Sequence, residues 1–231
     1  MLVALTRERG HNEELRHVVA EVAEVAEVAE LPLTTTVFRP LDDVAAQINA
    51  LKHFGDFRSL VVTSARCARY VALVTDALVD GHDVFSVGPS TTAALESAGL
   101  SVTGESSTTA LDLADVITRS PVVLLAATGG RRELCEELAR RHLQPHVVEC
   151  YSTVDVVLDE GGQELLGRAD VVFIGAPSAW RVARRFVSAH AWVLVPGATT
   201  LDEVREDHER VLVGWGEDFA HAWRVVVSPD A

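Results

Sequence analysis

Two motifs occur twice in this chain, in the same order and at nearly the same spacing, and this limits the available folds more than any bulk property. Leu60–Val71 (LVVTSARCARYV) is echoed by Val171–Val182 (VVFIGAPSAWRV), and Val84–Leu95 (VFSVGPSTTAAL) by Val193–Val204 (VLVPGATTLDEV). Ser64 and Ala176 stand 112 positions apart, Thr91 and Thr200 109. Ordered repetition at one offset predicts duplicated lobes. The 231 residues accommodate two lobes of about 100–120 residues each.

A third echo sets the chain path. The N-terminal LVALTRERGHNEEL is similar to Val123–Leu134, VLLAATGGRREL, each reading as strand, Gly-containing loop and helix. In the middle of the chain this unit comes third, whereas for the other lobe it comes first. The simplest arrangement inserts a lobe of residues 37–149 into an outer lobe of residues 1–34 plus 155–231. Residues 35–36 and 150–154 then link them. Both crossings, Thr34–Thr36 and Cys150–Val154, are β-prone, which predicts a two-stranded linker.

Apolar runs rich in β-branched residues alternate with helical patterns throughout. The strand candidates are Leu2–Leu5, Leu60–Thr63, Val84–Val87, Val122–Leu125, Val147–Val148, Val171–Ile174 and Trp192–Val195. Nearly every run ends in Thr, Ser, Gly or Pro before a helical stretch, the pattern of parallel sheets with helical crossovers. The fold class expected is therefore α/β, two similar lobes of parallel sheet flanked by helices. Glu21–Glu30, EVAEVAEVAE, has period three and is read as a solvated amphipathic helix that Pro32 ends. Leu33–Phe38 after it reads as extended.

Composition excludes several functions. A formal charge of −14 argues against a nucleic-acid surface, which needs a basic face. No apolar run reaches the ~20 residues of a membrane helix. The N-terminal segment turns charged after six residues and reads as a strand, so a cytoplasmic location is expected. Cys67, Cys135 and Cys150 are far apart and match no metal spacing, which reads as ordinary reduced thiols.

The residues able to carry chemistry sit where strands end. Gly88-Pro89-Ser90-Thr91 follows a strand and opens a helix. It reads as a helix cap or as an anion site, because a helix N-terminus offers amide donors and the positive end of a dipole. Gly197-Ala198-Thr199-Thr200 is the same device in the other lobe. Thr63-Ser64-Ala65 and its counterpart Gly175-Ala176-Pro177-Ser178 have the same two readings. No His/Asp pattern accompanies these serines, so they do not read as nucleophiles. Gly129-Gly130-Arg131-Arg132 is a structural turn or a carboxylate contact, and Thr6-Arg7 offers the equivalent contact after the first strand.

Tyr151, one of two tyrosines, falls at the second crossing. It either packs there or presents a phenol, which ordinarily keeps its proton at neutral pH. The histidines are scattered, with His17, His53 and His82 expected to face solvent. Trp180, Trp192, Trp215 and Trp223 are expected to pack in the core or between helices.

Taken in order, LTR (Leu5–Arg7), ELPL (Glu30–Leu33), VTSA (Val62–Ala65), VGPSTTAAL (Val87–Leu95), GGRREL (Gly129–Leu134), CYST (Cys150–Thr153), APSAW (Ala176–Trp180) and GATT (Gly197–Thr200) resemble the uroporphyrinogen-III synthase family. The resemblance spans essentially the whole chain. It implies two α/β lobes joined by a β-ladder. It also implies an enzyme that cyclises hydroxymethylbilane, a linear tetrapyrrole polycarboxylate, with loss of water and inversion of the terminal pyrrole through a spiro intermediate. No cofactor or metal is implied.

By motif, Tyr151 matches the tyrosine that helps the hydroxyl leave, Thr91 and Thr200 the family's binding threonines, and Ser64 and Ser178 its serine-bearing helix starts. The expected substrate contacts are Thr6, Arg7, Thr63, Ser64, Ala65, Gly88, Ser90, Thr91, Gly130, Arg131, Pro177, Ser178, Thr199 and Thr200. A monomer is expected, and transient contact with the enzyme making hydroxymethylbilane is compatible. The chain departs from the family pattern at Arg66 and at Gly175-Ala176. These departures fit the runner-up, a non-catalytic two-lobed tetrapyrrole- or anion-binding module. A solute-binding protein of similar architecture is disfavoured by the N-terminus and the length.

Overall fold

A computed structural model describes residues 1–22, 27–106, 110–130 and 132–227. The chain divides into two compact units, one of Met1–Thr36 with Val154–Ala231 and one of Val37–Thr153. In chain order the elements begin β1 (Leu2–Leu5), α1 (Glu13–Val22), β2 (Glu27–Glu30), β3 (Thr34–Phe38) and α2 (Leu41–Leu51). Then come β4 (Phe57–Val62), α3 (Val71–Thr75), β5 (Leu78–Val87), α4 (Pro89–Ser97), β6 (Gly104–Ser106) and β7 (Val122–Ala127). They continue with α5 (Glu133–Arg140), β8 (Pro145–Asp155), α6 (Glu160–Arg168), β9 (Val171–Phe173), α7 (Pro177–Ala183) and β10 (Trp192–Val195). Last are α8 (Ala198–Arg205), β11 (Val211–Val213) and α9 (Phe219–Val227).

The first unit is built on a five-stranded sheet in the order β11-β10-β9-β1-β2, with every neighbouring pair parallel. All four residues of β1 are buried, so both faces of the sheet are covered. Strand alternation sends Leu2 and Ala4 to one core with Trp180, Val193 and Val204. Val3 and Leu5 point to the other, with Val19, Phe173, Phe219 and Trp223.

The second unit carries the order β3-β8-β7-β4-β5-β6. Its β4–β5, β4–β7, β5–β6 and β7–β8 pairs are parallel. Here Leu60, Val62, Val123 and Leu125 face one core, and Val61, Val122 and Leu124 the other. The chain passes from unit to unit along β3 and again along β8, which are neighbours in this sheet.

The glutamate-rich repeat is a correction. Its helix ends at Val22, having begun at Glu13, and Glu27–Glu30 is a strand; residues 23–26 lie outside those described. A three-residue period cannot hold a stripe against the core, whereas Leu15 and Val19, four apart, are buried at 3% and 0% exposure. Extended Glu27–Glu30 instead fills the slot beside β1, pairing Leu2 with Glu27 through to Leu5 with Glu30. Tertiary pairing overrides the helical bias, and the exposed glutamates at both ends of β2 guard an edge strand. Pro32 accordingly follows a strand and ends no helix. The short strands β6 and β11 are absent from the expected set.

His146, at the head of β8, lies between the rings of Phe54 (centroids 4.2 Å) and Phe57 (5.6 Å). Its Nε2 is buried and, among the described residues, hydrogen-bonds to nothing. Burial, and then the charge of His53, hold the imidazole below its ordinary value. On acidification the unfolded chain takes up this proton first, so the native state loses stability as pH falls through about 6.5. His146→Phe is expected to lose less: the melting temperature of the wild type relative to the variant should fall between pH 7.5 and pH 5. An unchanged difference would remove His146 from the acid sensitivity.

Candidate functional site

The strands of the first sheet, and β8, β7, β4, β5 and β6 of the second, run parallel, so the loops following their C-terminal ends gather along one edge of each sheet, where ligands of open α/β sheets bind. In the unit formed by the chain ends, that edge collects Thr6 and Arg7 after β1, Gly175 to Ser178 after β9, Gly197 to Thr200 after β10, and Trp215 after β11. In the inserted unit it collects Thr63 to Ala65 after β4, Gly88 to Thr91 after β5 and Gly129-Gly130 after β7.

The helix starts differ from the capping expected. Gly88 and Gly197 are themselves the N-caps of α4 and α8, and neither helix has a side-chain cap. Thr91 and Thr200 are buried at 2% and 5% exposure, while Ser90 and Thr199 are exposed. It is Thr92 that bonds locally, sharing a hydrogen with Ser86 at 2.7 Å and donating to Glu105. Of the four strand-end motifs, Ser64 supplies a capping side chain, its Oγ accepting from the amide of Arg66 at 3.3 Å. Thr63 donates its hydroxyl to the carbonyl of Leu125 at 3.2 Å. α7 opens on Pro177 with Ser178 half-buried beside it.

Thr6 is held inward, its hydroxyl donating to the carbonyl of Phe173 at 2.5 Å and tying β1 to β9. Arg7 is half-buried, with its guanidinium over the Trp215 ring at 5.3 Å from the centroid. The packing expected for the tryptophans holds for Trp180 and Trp223, which are buried. Trp192 and Trp215 are half-buried against the same core as Trp223, and each also carries an arginine on its face, Arg210 at 5.6 Å and Arg7. Of the histidines expected in solvent, His17 and His53 are exposed, whereas His82 is half-buried with Nδ1 at 3.0 Å from the carbonyl of Val79.

Tyr151 lies within β8 at 7% exposure. The Arg66 guanidinium stands over its ring at 5.8 Å and Phe38 tilts against it at 6.3 Å. Among the described residues its hydroxyl makes no hydrogen bond, so the phenol keeps a free donor. Cys67 and Cys150 lie buried in the same core, and all three cysteines are free thiols. The hydrogen bond to Cys150, then burial, pushes the Cys67 thiol up.

A concavity of about 680 Å³ opens in the inserted unit, lined by Thr63, Val87, Leu124, Gly130, Arg132 and Cys135 among others. It places Gly130 and Arg132 beside Thr63, and Arg131 lies outside the described residues. Nearby, Arg39 pairs with Glu149 at 2.5 Å and donates to Thr128 at 3.2 Å, while Thr128 donates to Glu149 at 3.1 Å. These contacts, with Arg66 on Tyr151 and Arg7 on Trp215, join residues distant in the chain that no local motif links.

Residues 19–213 match the profile of a family described as uroporphyrinogen-III synthase HemD. A crystal structure of a mutant uroporphyrinogen III synthase from Thermus thermophilus is similar with a TM-score of 0.68 at 16% identity, covering 100% of both chains. Uroporphyrinogen-III synthetase from Helicobacter pylori 26695 is similar with a TM-score of 0.63 at 14% identity, covering 99% of this chain and 98% of that one. At such identity these likenesses show the fold. No curated protein matches the chain.

Proposed function

The chain belongs to the uroporphyrinogen-III synthase family, and from that premise we infer how its residues carry out the family's reaction. That reaction, cyclisation of hydroxymethylbilane with loss of water and inversion of the terminal pyrrole, is the activity of this chain. The observation that carries the assignment is the family match over residues 19–213.

The electron-rich terminal pyrrole expels the hydroxyl largely unaided, leaving an azafulvene-like cation equivalent. Tyr151 assists as a hydrogen-bond donor to the departing oxygen, and its free hydroxyl supports this role. Folding the substrate so that its end ring is attacked at the substituted carbon is the harder part. Fixing that conformer lowers the barrier by several kcal/mol, on the order of what positioning supplies.

The substrate's acetates and propionates are the handles. Arg7 takes one carboxylate. The uncapped starts of α4 and α8 offer the amides of Ser90, Thr199 and Thr200 to others, as do the amides of Ser64, Ala65 and Ser178, while Gly88, Thr91, Gly130 and Pro177 shape the loops that present them. Thr63 and Thr6 hold these loops through their bonds to Leu125 and Phe173. Donors of this kind suit a polyanion despite a net charge of −14, because salt screens distant charges beyond about 8 Å. The same reading has the enzyme acting in the cytoplasm as a monomer; among the described residues no helix is long and apolar enough to cross a membrane.

The test supplies freshly made hydroxymethylbilane and separates product isomers by chromatography. A large excess of isomer III over the spontaneous isomer I is expected. Isomer I alone, formed at the enzyme-free rate by folded protein, would overturn the assignment.

A further inference from the structure

We propose that Trp215 is a positioning residue that holds the Arg7 guanidinium flat and ready for a substrate carboxylate. The proposal rests on reading Arg7 as a carboxylate contact and extends it to a residue that no motif singles out.

Every part of Arg7 is fixed by a different neighbour. Before it, Thr6 anchors the backbone through its 2.5 Å bond to Phe173. Its own carbonyl accepts from Nδ2 of buried Asn12 at 3.2 Å. Its stem lies along Gly175, where an added Cβ would stand 3.4 Å from the Arg7 Cγ. A methyl is just accommodated there, and a threonine, as found at Thr63 in the other unit, would crowd the arginine. The departure at Gly175-Ala176 therefore has a local reason: the hydroxyls present after β4 give way after β9 to an arginine laid across the loop.

The guanidinium then rests on Trp215, which is held in turn. Its ring meets Phe173 edge-on at 5.9 Å, and Phe173 stacks on Phe219 at the same separation. Gly214 brings the chain close to the core, since a Cβ there would meet Leu194 and Ala222 at 3.0 Å. Trp215 is thus the half-exposed end of a buried aromatic row.

Among the described residues Arg7 pairs with no carboxylate, although acidic residues outnumber basic ones 34 to 20. Its sequence neighbour Glu8 bonds to the amide and hydroxyl of Thr36 at 2.6 and 2.8 Å. A planar cation stacked on one face keeps its edge donors for a bidentate carboxylate, and its ordering precedes binding.

Steady-state kinetics with freshly generated hydroxymethylbilane test this on Arg7→Gln, Arg7→Lys, Trp215→Leu, Trp215→Phe and the Arg7→Gln/Trp215→Leu double variant. Arg7→Gln should raise KM about tenfold. Trp215→Leu should raise it about fivefold with kcat within twofold, and Trp215→Phe should stay within twofold of wild type. The double variant should be no worse than Arg7→Gln alone.

Arg7→Lys keeps the charge without the planar stack and should match Trp215→Leu, which tests the idea even if Trp215→Leu fails to fold. Independent multiplication of the two effects, or an unchanged KM in Trp215→Leu and Arg7→Lys, overturns the role of Trp215 alone. An unchanged KM in Arg7→Gln overturns the carboxylate reading beneath it.

Discussion

Tyr151→Phe is expected to lower kcat about a hundredfold, the lower end of what a positioned proton donor supplies, while KM stays within about threefold. The variant removes one oxygen and keeps the ring, so the stacking of Arg66 at 5.8 Å and of Phe38 at 6.3 Å survives. Any loss is then chargeable to the hydroxyl. A split in which kcat moves and KM does not marks an interaction made as the carbon–oxygen bond breaks. Product should still be isomer III, because the fold of the bound substrate is set by its carboxylates. Turnover equal to wild type would take Tyr151 out of the mechanism, and a raised KM with unchanged kcat would make it a binding contact.

Trp180→Ala should have the largest effect on stability, about 3–5 kcal/mol, the usual cost of emptying a large aromatic site. Trp180 is 2% exposed in the core formed with Leu2, Val193 and Val204, and its ring meets His208 edge-on at 5.5 Å. Its indole N–H donates to Asp207 Oδ1 at 2.8 Å, tying α7 to the end of α8. For a chain of this size the melting temperature should fall by roughly 10 °C or more. Trp180→Phe keeps most of the volume and loses the donor, so it should cost about 1–2 kcal/mol. Thermal melts separate the cases: a fall below about 3 °C for the alanine variant would show that the site collapses around the vacancy.

Strands buried on both faces are the most legible part of the sequence. Leu2–Leu5 and Trp192–Val195 coincide with β1 and β10 because such strands read as unbroken apolar runs. Glu27–Glu30 misleads for the opposite reason. An edge strand with glutamates at its ends resembles a solvated helix, and only the vacant place beside β1 decides against it. The strands β6 and β11 are three residues long, too short for periodicity to register, whereas the equally short β9 is marked by the longer apolar run Val171–Ile174.

For the site, Gly, Ser and Thr after apolar runs mark the loops at the strand ends, since turn chemistry is local. Which of those residues serve the ligand is less legible. Thr6 is turned onto Phe173, and the capping expected of Ser90 and Thr91 falls to glycine. The Arg7–Trp215 and Arg39–Glu149 pairs leave no trace in the sequence, because topology alone brings such distant residues together.

The place of β1 in its sheet bears on how the protein is made. It lies between β2 and β9, and the amide of Leu2 donates to Asp170, 168 positions later. At ribosomal rates of about 5–20 residues per second, that partner emerges roughly ten to thirty seconds after the strand itself. The inserted unit, contiguous from Val37 to Thr153, has all its strands in hand before then. During this interval the apolar run LVAL has β2 on one side and no neighbour on the other, so nascent chains stay open to chaperone capture or misassociation at this strand.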